Sequence, residues 1–360
     1  MEFQLKILQA YHGDSILIQG DFDGQPRNIL IDGGSNEAYQ NRRRRAGALQ
    51  VSLQSIKDSG QKIDLLVLSH IDDDHIGGLL AGFKQGGGGL LEEITEKVWF
   101  NSGKLIFECF DKGIDETKLL DFEESCIETD ADNLTSIRQG VKFEHYLSKL
   151  EVWDYKIIQA EQEHELFGIK FTILSPNKEK LEKLLIKWGD EQPDSLTSAV
   201  SNDYDKSFDD LLLNDIFKED KSCHNGSSIA FIFEYEGRCL LLLGDAHNDI
   251  VIESLKKMGF SEENPLLLDY VKLSHHGSQY NTSPQFLKLI SCQNFIISTN
   301  GQRHGLPNKL TLARIINQFP KATLLFNYPD LIERVFSADE LVSLRRNGVT
   351  IKGCEQAFTL

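Results

Sequence analysis

Apolar runs bounded by glycine turns recur along this chain, and two stretches far apart share one layout. In the first, Ile16-Leu17-Ile18 and Ile29-Leu30-Ile31 flank a turn at Asp23-Gly24, and the second run ends at Asp32-Gly33-Gly34. In the second, Ile229 to Phe233 and Leu240 to Leu243 flank Glu236-Gly237, and the run ends at Gly244-Asp245. Each pattern predicts a hairpin of two buried strands whose second strand stops at an aspartate. A helical stretch follows in both cases, Ala48 to Lys57 and Asp249 to Met258. Then comes another apolar strand, and both of these end Leu-Ser-His, at His70 and at His275. The ordered match of hairpin, aspartate, helix, strand and histidine predicts a duplicated architecture.

The runs Leu65 to Leu68 and Leu240 to Leu243 do not alternate with polar residues, so both faces of these strands must be covered. Two half-sheets packed face to face, with helices outside, meet that requirement. The expected fold is α/β, a four-layer αββα sandwich, formed as a single domain over residues 1–360. From about Phe83 to Ser222 the chain turns polar, opening on Gly86 to Gly89 and carrying an acidic patch at Glu128 to Asp132. Helical patterns run from Tyr146 to Val152 and from Lys178 to Trp188. Residues 84–222 are expected to be an inserted cap or a partner-docking region, the alternative being a partly disordered acidic loop around Gly189 to Asp205.

Composition narrows the setting. The chain has 360 residues and a net charge of −17, from 38 basic and 55 acidic side chains. Such a balance works against bulk attraction to nucleic acid or to an anionic membrane. No apolar run is long enough to cross a bilayer, and the first residues lack the basic-then-apolar pattern of a signal peptide, so a cytoplasmic protein with no membrane partner is expected. Six scattered cysteines favour reduced thiols over a disulfide framework. The basic run Arg42 to Arg45 reads as a solvated surface, or as an edge of a site close behind Asp32.

The densest chemistry is His70-Ile71-Asp72-Asp73-Asp74-His75-Ile76-Gly77-Gly78, directly after a buried strand. Carboxylates packed between imidazoles at a strand end call for a cation to offset their desolvation. Aspartates capping a helix N-terminus explain Asp72 to Asp74 but leave both histidines unexplained. Asp245 ends a buried strand and is placed to bridge two cations. By the internal repeat His275 matches His70, while its neighbour His276 is a candidate for contacting substrate, and the sequence leaves the order of this pair open. His224, which opens the second hairpin, is either a further ligand or a loop histidine. Asp32 is expected to orient the first-half ligands by hydrogen bonds. His304 is a candidate to protonate a leaving group or touch phosphate, with a satisfied loop histidine as the alternative. Ser278, Asn281 and Thr282 offer hydrogen bonds to substrate oxygens or cap the helix before Pro284.

His70 to His75 resembles the HxHxDH signature of the metallo-β-lactamase superfamily, with Asp72 in place of the second histidine. That HxDxDH variant, with Gly244-Asp245-Ala246 and Ser274-His275-His276-Gly277-Ser278, is similar to the hydrolase domain of ComEC-type proteins and their free-standing relatives. His12-Gly13-Asp14-Ser15 and Ile31-Asp32-Gly33-Gly34 resemble them too. Where those domains carry Gly-His-Pro, this chain has His304-Gly305-Leu306-Pro307. The likeness implies two divalent cations, Zn²⁺ or Mn²⁺, because Asp72 adds a hard oxygen donor. His70, Asp72 and His224 would hold one; Asp74, His75 and His275 would hold the other, with Asp245 shared. Asp74 and His304 are the expected catalytic residues. The expected function is metal-dependent hydrolysis of a phosphodiester, possible substrates being a nucleic acid or nucleotide, by water activated between two cations. Amide or ester hydrolysis is the second reading. The third is a metal-stabilised scaffold that binds a protein partner through its acidic insert.

Overall fold

The computed structural model describes residues 2–83, 88–110, 136–188, 202–354 and 357–360. Both predicted hairpins form. β2 (Ile16–Phe22) pairs antiparallel with β3 (Gln25–Ile31), and β8 (Ala230–Tyr235) with β9 (Arg238–Leu242). Their two-residue turns are built alike. Asp23 and Gly24 have φ of 55° and 74°, Glu236 and Gly237 of 47° and 80°. Two consecutive left-handed residues are what a tight hairpin turn needs to follow the twist of its strands.

Each hairpin then continues through a helix into a parallel strand. Helix Ala48–Asp58 leads to β4 (Leu65–Val67), and helix Asn248–Lys257 leads to β10 (Leu266–Lys272). The duplication also reaches one strand further on each side. β1 (Phe3–Ile7) flanks β2 as β7 (Ile169–Ser175) flanks β8, both antiparallel. β5 (Val98–Trp99) lies parallel to β4 as β11 (Ile290–Ile297) does to β10. With β6 (Glu163–Leu166), β12 (Thr323–Phe326), β13 (Thr350–Gly353) and β14 (Phe358–Thr359), the sheets run β14-β1-β2-β3-β4-β5 and β13-β12-β11-β10-β9-β8-β7-β6.

The unbroken apolar strands follow from this layering. Leu65 and Val67 point into the core between the sheets, while Leu66 and Leu68 point to the helices outside. Successive side chains of a strand face opposite ways, so a strand covered on both sides is apolar at every position. Between the sheets, Phe3, Phe22, Phe171, Phe231 and Phe233 form a continuous aromatic layer, with Phe171 and Phe233 at 5.6 Å and perpendicular. Helices Asp73–Phe83 and Ser136–Leu147 cover the first sheet, and Asn248–Lys257 and Lys309–Gln318 the second.

Much of the stretch 84–222, expected to be an inserted cap, is framework in the structure. It supplies β5 to the first sheet and β6 and β7 to the second. Helices Ser136–Leu147 and Lys178–Trp188 bury Val141, Phe143, Leu184 and Trp188 in the first core. No helix runs from Tyr146 to Val152. The one that ends at Leu147 gives way to a turn, because the Val152 carbonyl accepts a bond from the Val98 amide beside β5. The acidic patch Glu128–Asp132 and most of Gly189–Asp205 lie outside the described residues. No helix among the described residues is long and apolar enough to cross a membrane.

The aromatic layer should dominate stability. Phe233→Ala is expected to cost about 3–5 kcal/mol in chemical unfolding, since it opens a cavity between two sheets that cannot collapse. Leu267→Ala, at a position 72% exposed, should stay within about 0.5 kcal/mol of the parent. Comparable losses in the two variants would contradict the layered packing.

Candidate metal centre

The candidate residues meet at the C-terminal ends of the parallel strands, where loops from both half-sheets converge. β4 runs into Ser69 and His70, and the helix Asp73–Phe83 starts at once, placing His75 in its first turn. This tight start depends on Gly78, where a Cβ would lie 2.0 Å from the Gly33 carbonyl oxygen. The loop after β3 is thereby held flush against the helix, through Gly33 N–H to the His75 carbonyl at 2.7 Å and Gly78 N–H to that of Gly34 at 2.8 Å. From the second half come Asp245, beyond β9, and the pair His275 and His276, beyond β10. His224 sits in the short turn of helix before β8.

Asp245 lies at the centre. Its carboxylate is 3.4 Å from His75 Nε2, 3.6 Å from His276 Nε2, and 3.9 Å from both His70 Nε2 and His275 Nε2. On one side His70 Nε2 is 3.6 Å from Asp72, whose other oxygen accepts from His224 Nδ1 at 2.7 Å. On the other, His276 Nε2 is 3.3 Å from Asp74. Among the described residues, Nε2 of His70, His75, His224 and His276 and Oδ1 of Asp245 are buried without a hydrogen-bond partner. Each such orphan costs about 1–3 kcal/mol. Three of these imidazole nitrogens, on His70, His75 and His276, lie within 3.9 Å of the Asp245 carboxylate, and with its unpaired oxygen they are a donor set that fits divalent cations.

The structure distinguishes the two members of the histidine pair, whose order the sequence left open. His275 and His276 both have left-handed backbones, φ 46° and 54°, and this double kink turns the second ring inward. His276 is 2% exposed in its side chain, with Nε2 toward Asp74 and Asp245. His275 is 25% exposed and held by Asp220 at 3.3 Å and by Asn281 at 3.2 Å. The geometry thus sets His276 among the innermost donors and His275 at the rim.

Around the donors runs a ring of residues that orient them. Asp32 accepts from Ser69 N–H and Oγ at 2.7 and 2.6 Å and contacts His75 Nδ1 at 2.7 Å, so the other nitrogen of His75 faces Asp245. His276 Nδ1 lies 3.0 Å from the Ser298 carbonyl and 3.3 Å from Asp14. Asp14 is in turn ion-paired with the fully buried Lys272. Asp14, His75, Asp245 and His276 each offer a ligand atom within 4.8 Å of the others. The Lys272 pair already meets much of the charge of Asp14, so we read it as orienting His276. Asp14, Lys272 and Asp220 were not singled out by the sequence reading. A lysine inside the apolar strand Tyr270-Val271-Lys272-Leu273 was the available signal, since a buried ammonium implies a buried carboxylate partner.

Ser278 and His304 make none of the close contacts of the donor cluster. Ser278 Oγ accepts from Tyr280 N–H at 3.2 Å and shapes the turn after the histidines. Asn281 bonds the Asp245 carbonyl at 3.3 Å, and Thr282 is buried below. His304 is exposed, with φ 56°, on the loop beyond β11.

Electrostatics ties the cluster together. Burial alone would raise the Asp245 pKa, but His276, His75 and His275 hold it well below the usual carboxylate range. Burial works against charge on His276 as well, yet Asp245 and Asp14 outweigh it and push the pKa up to about 9. His75 is raised well above its ordinary value by Asp245 and Asp32 against the same desolvation, and His275 is raised by Asp245 and Asp220. For Asp14, the Lys272 and His276 charges overcome burial and bring the pKa to about 2. In the absence of a cation, protons on these rings balance the carboxylates.

The fold and this cluster define a class of protein: two sheets with outer helices, consistent with a metallo-β-lactamase fold, and candidate metal ligands where the two halves meet. Residues 9–108, from the β1–β2 loop to beyond β5, match the family model of the metallo-beta-lactamase superfamily. Among solved structures, the chain is similar to the metallo-beta-lactamase fold protein YhfI from Bacillus subtilis, at 12% identity and TM-score 0.41, covering 100% of this chain and 98% of that one. It is similar to Zn(2+)-bound PqqB from Methylobacterium extorquens at 13% identity and TM-score 0.43, over 100% and 99% of the two chains. A diphosphatase from the PhnP family stands at 13% identity and TM-score 0.40, over 100% and 98%. No curated protein matches this chain.

Cation binding requires neutral imidazoles, so a cation must displace the proton that His276 holds below about pH 9. The sign follows: apparent affinity for Zn²⁺ or Mn²⁺ should rise with pH and level off above that value. Competition with a chelator at several pH values measures it. An affinity that stays flat, or falls with rising pH, would count against His276 as a donor.

Proposed function

We propose that this protein is a metal-dependent hydrolase of phosphodiesters with a two-cation centre. The observation that carries this reading is the set of buried, unpartnered donor atoms arranged on two sides of Asp245. In this reading His70, Asp72 and His224 hold one position. Asp74, His75 and His276 hold the other, and Asp245 reaches both. Two cations there would lower the pKa of water and stabilise charge on phosphoryl oxygens, the chemistry suited to in-line displacement at phosphorus. Asp32 fixes which nitrogen of His75 faces the centre, and Asp14 with Ser298 does the same for His276. His275, at the rim and steadied by Asp220 and Asn225, is positioned to touch the substrate. The replacement of an imidazole by Asp72, which the chain shares with ComEC-type domains, supports the phosphodiester reading and leaves the choice between Zn²⁺ and Mn²⁺ to experiment. With a net charge of −17, a nucleotide or a single strand suits the protein better than a long duplex.

The test is turnover by the Zn²⁺- or Mn²⁺-loaded chain on bis-p-nitrophenyl phosphate, DNA, RNA and a chromogenic β-lactam. Phosphodiester hydrolysis is expected, falling more than about a hundredfold in Asp74→Ala and in His75→Ala. Turnover of the lactam alone would replace the reading with amide hydrolysis. Full metal occupancy with no turnover of any substrate would point to a scaffold.

A further inference from the structure

One corner of the site is built from residues with no part in holding cations. The loop after β1 carries His12, and the loop after β11 carries Arg303 and His304. The second loop is fastened at both ends. Asn300 N–H donates to the Tyr11 carbonyl at 2.7 Å, and Asn308 N–H to that of Gly277 at 3.1 Å. It therefore spans from the segment that holds His12 to the turn that holds His275 and His276. Arg334 braces its near end through the carbonyls of Asn300 and Gly301, at 3.0 and 3.2 Å. The loop of His12 is clamped as firmly, through Tyr11 N–H to the Tyr328 hydroxyl at 2.6 Å and the Ser298 hydroxyl to the Gly13 carbonyl at 3.1 Å. A Cβ on Gly13 would lie 1.7 Å from the Asp74 carbonyl oxygen, so only glycine lets this loop reach the centre.

The side chains so placed are of one chemical kind. His12 is 8% exposed, and its Nε2 has no hydrogen-bond partner among the described residues. Arg303 and His304 are exposed. Burial lowers the pKa of both His12 and His304, with Asp74 opposing and Arg303 adding to it in each, and the backbone ties bring the two loops together where Gly13 packs on Asp74. Tyr11 and His304 both take left-handed backbones, φ 64° and 56°, and non-glycine strain of this kind gathers where a loop is held for function.

We propose that His12, Arg303 and His304 form an oxyanion subsite that receives a phosphoryl group of the substrate. The inference rests on the phosphodiesterase reading and deepens it. Charge explains why such a subsite is required. Asp72, Asp74 and Asp245 offset most of the charge of two divalent cations, and the chain is strongly acidic overall. An anionic substrate then needs further donors, and a guanidinium beside two imidazoles provides planar, directional ones.

The probe is inorganic phosphate, titrated calorimetrically into the metal-loaded full chain. Phosphate should bind the parent protein, and Arg303→Ala and His12→Gln should each weaken it about tenfold or more, with metal stoichiometry unchanged. Arg303→Lys, which keeps the charge, should recover part of the loss. Arg303 is exposed and contacts no cation donor, so a folding defect in its alanine variant is not expected, and thermal melting checks this. Unchanged phosphate affinity in both variants, or loss of metal alongside loss of phosphate, would overturn the subsite. Phosphate binding that follows the expected pattern in a protein that hydrolyses no phosphodiester would retain the subsite and reject the activity.

Discussion

A buried carboxylate cannot stand alone, and Asp245 is buried at the junction of two half-sheets with the imidazoles of His70, His75, His275 and His276 at 3.4–3.9 Å. Its charge explains why His70, His75 and His276 turn unpaired nitrogens toward it. It also explains why the centre cannot be assembled from either half of the chain. β4 supplies His70 and the helix with His75, and β9 and β10 supply Asp245 and His276. The aromatic layer between the sheets sets how these strand ends lie relative to one another. A shift in that packing would move every donor at once.

The rings that face Asp245 are held from behind. Asp32 fixes His75, the Asp14 and Lys272 pair with the Ser298 carbonyl fixes His276, and Asp220 with Asn281 fixes His275. Each arrangement spends a buried polar group on direction, and a buried ion pair contributes little net stability for its desolvation. The double left-handed turn at His275 and His276 is a further local cost, of order 1–3 kcal/mol per strained residue. Energy is given up at one edge of the molecule while the apolar layers elsewhere keep it folded. An acidic chain with an acidic centre also constrains its substrate, because an anion is accepted only where cations and donors such as Arg303 locally reverse the sign.

The hydrophobic pattern was sufficient to read the two hairpins, the helices after them and the double coverage of the strands, because burial on both faces leaves an unmistakable apolar run. Asp23-Gly24 and Glu236-Gly237 were legible as turns, since few residues tolerate a left-handed backbone. Charge clustering was enough to single out His70 to His75 as candidates, and the internal repeat added Asp245 and His275. The stretch 84–222 misled because β5 and β6 are short edge strands, half-polar in β6, and framework strands of this kind look like loop in a linear reading. Lys272 carried its meaning in plain view, but only its partner Asp14, 258 residues away, makes it intelligible.

The sequence by itself therefore determined the layered architecture, its duplication and the residue types of the centre, since these depend on local periodicity and on charges that are neighbours along the chain. The tertiary structure alone decided that His276 is buried between Asp74 and Asp245 while His275 stays at the rim, that Asp14 and Asp220 stand behind them, and that the loop after β1 is tied to the loop after β11. Those relations are set by backbone kinks and by loops from opposite ends of the chain meeting in space, and no local pattern of residues encodes them.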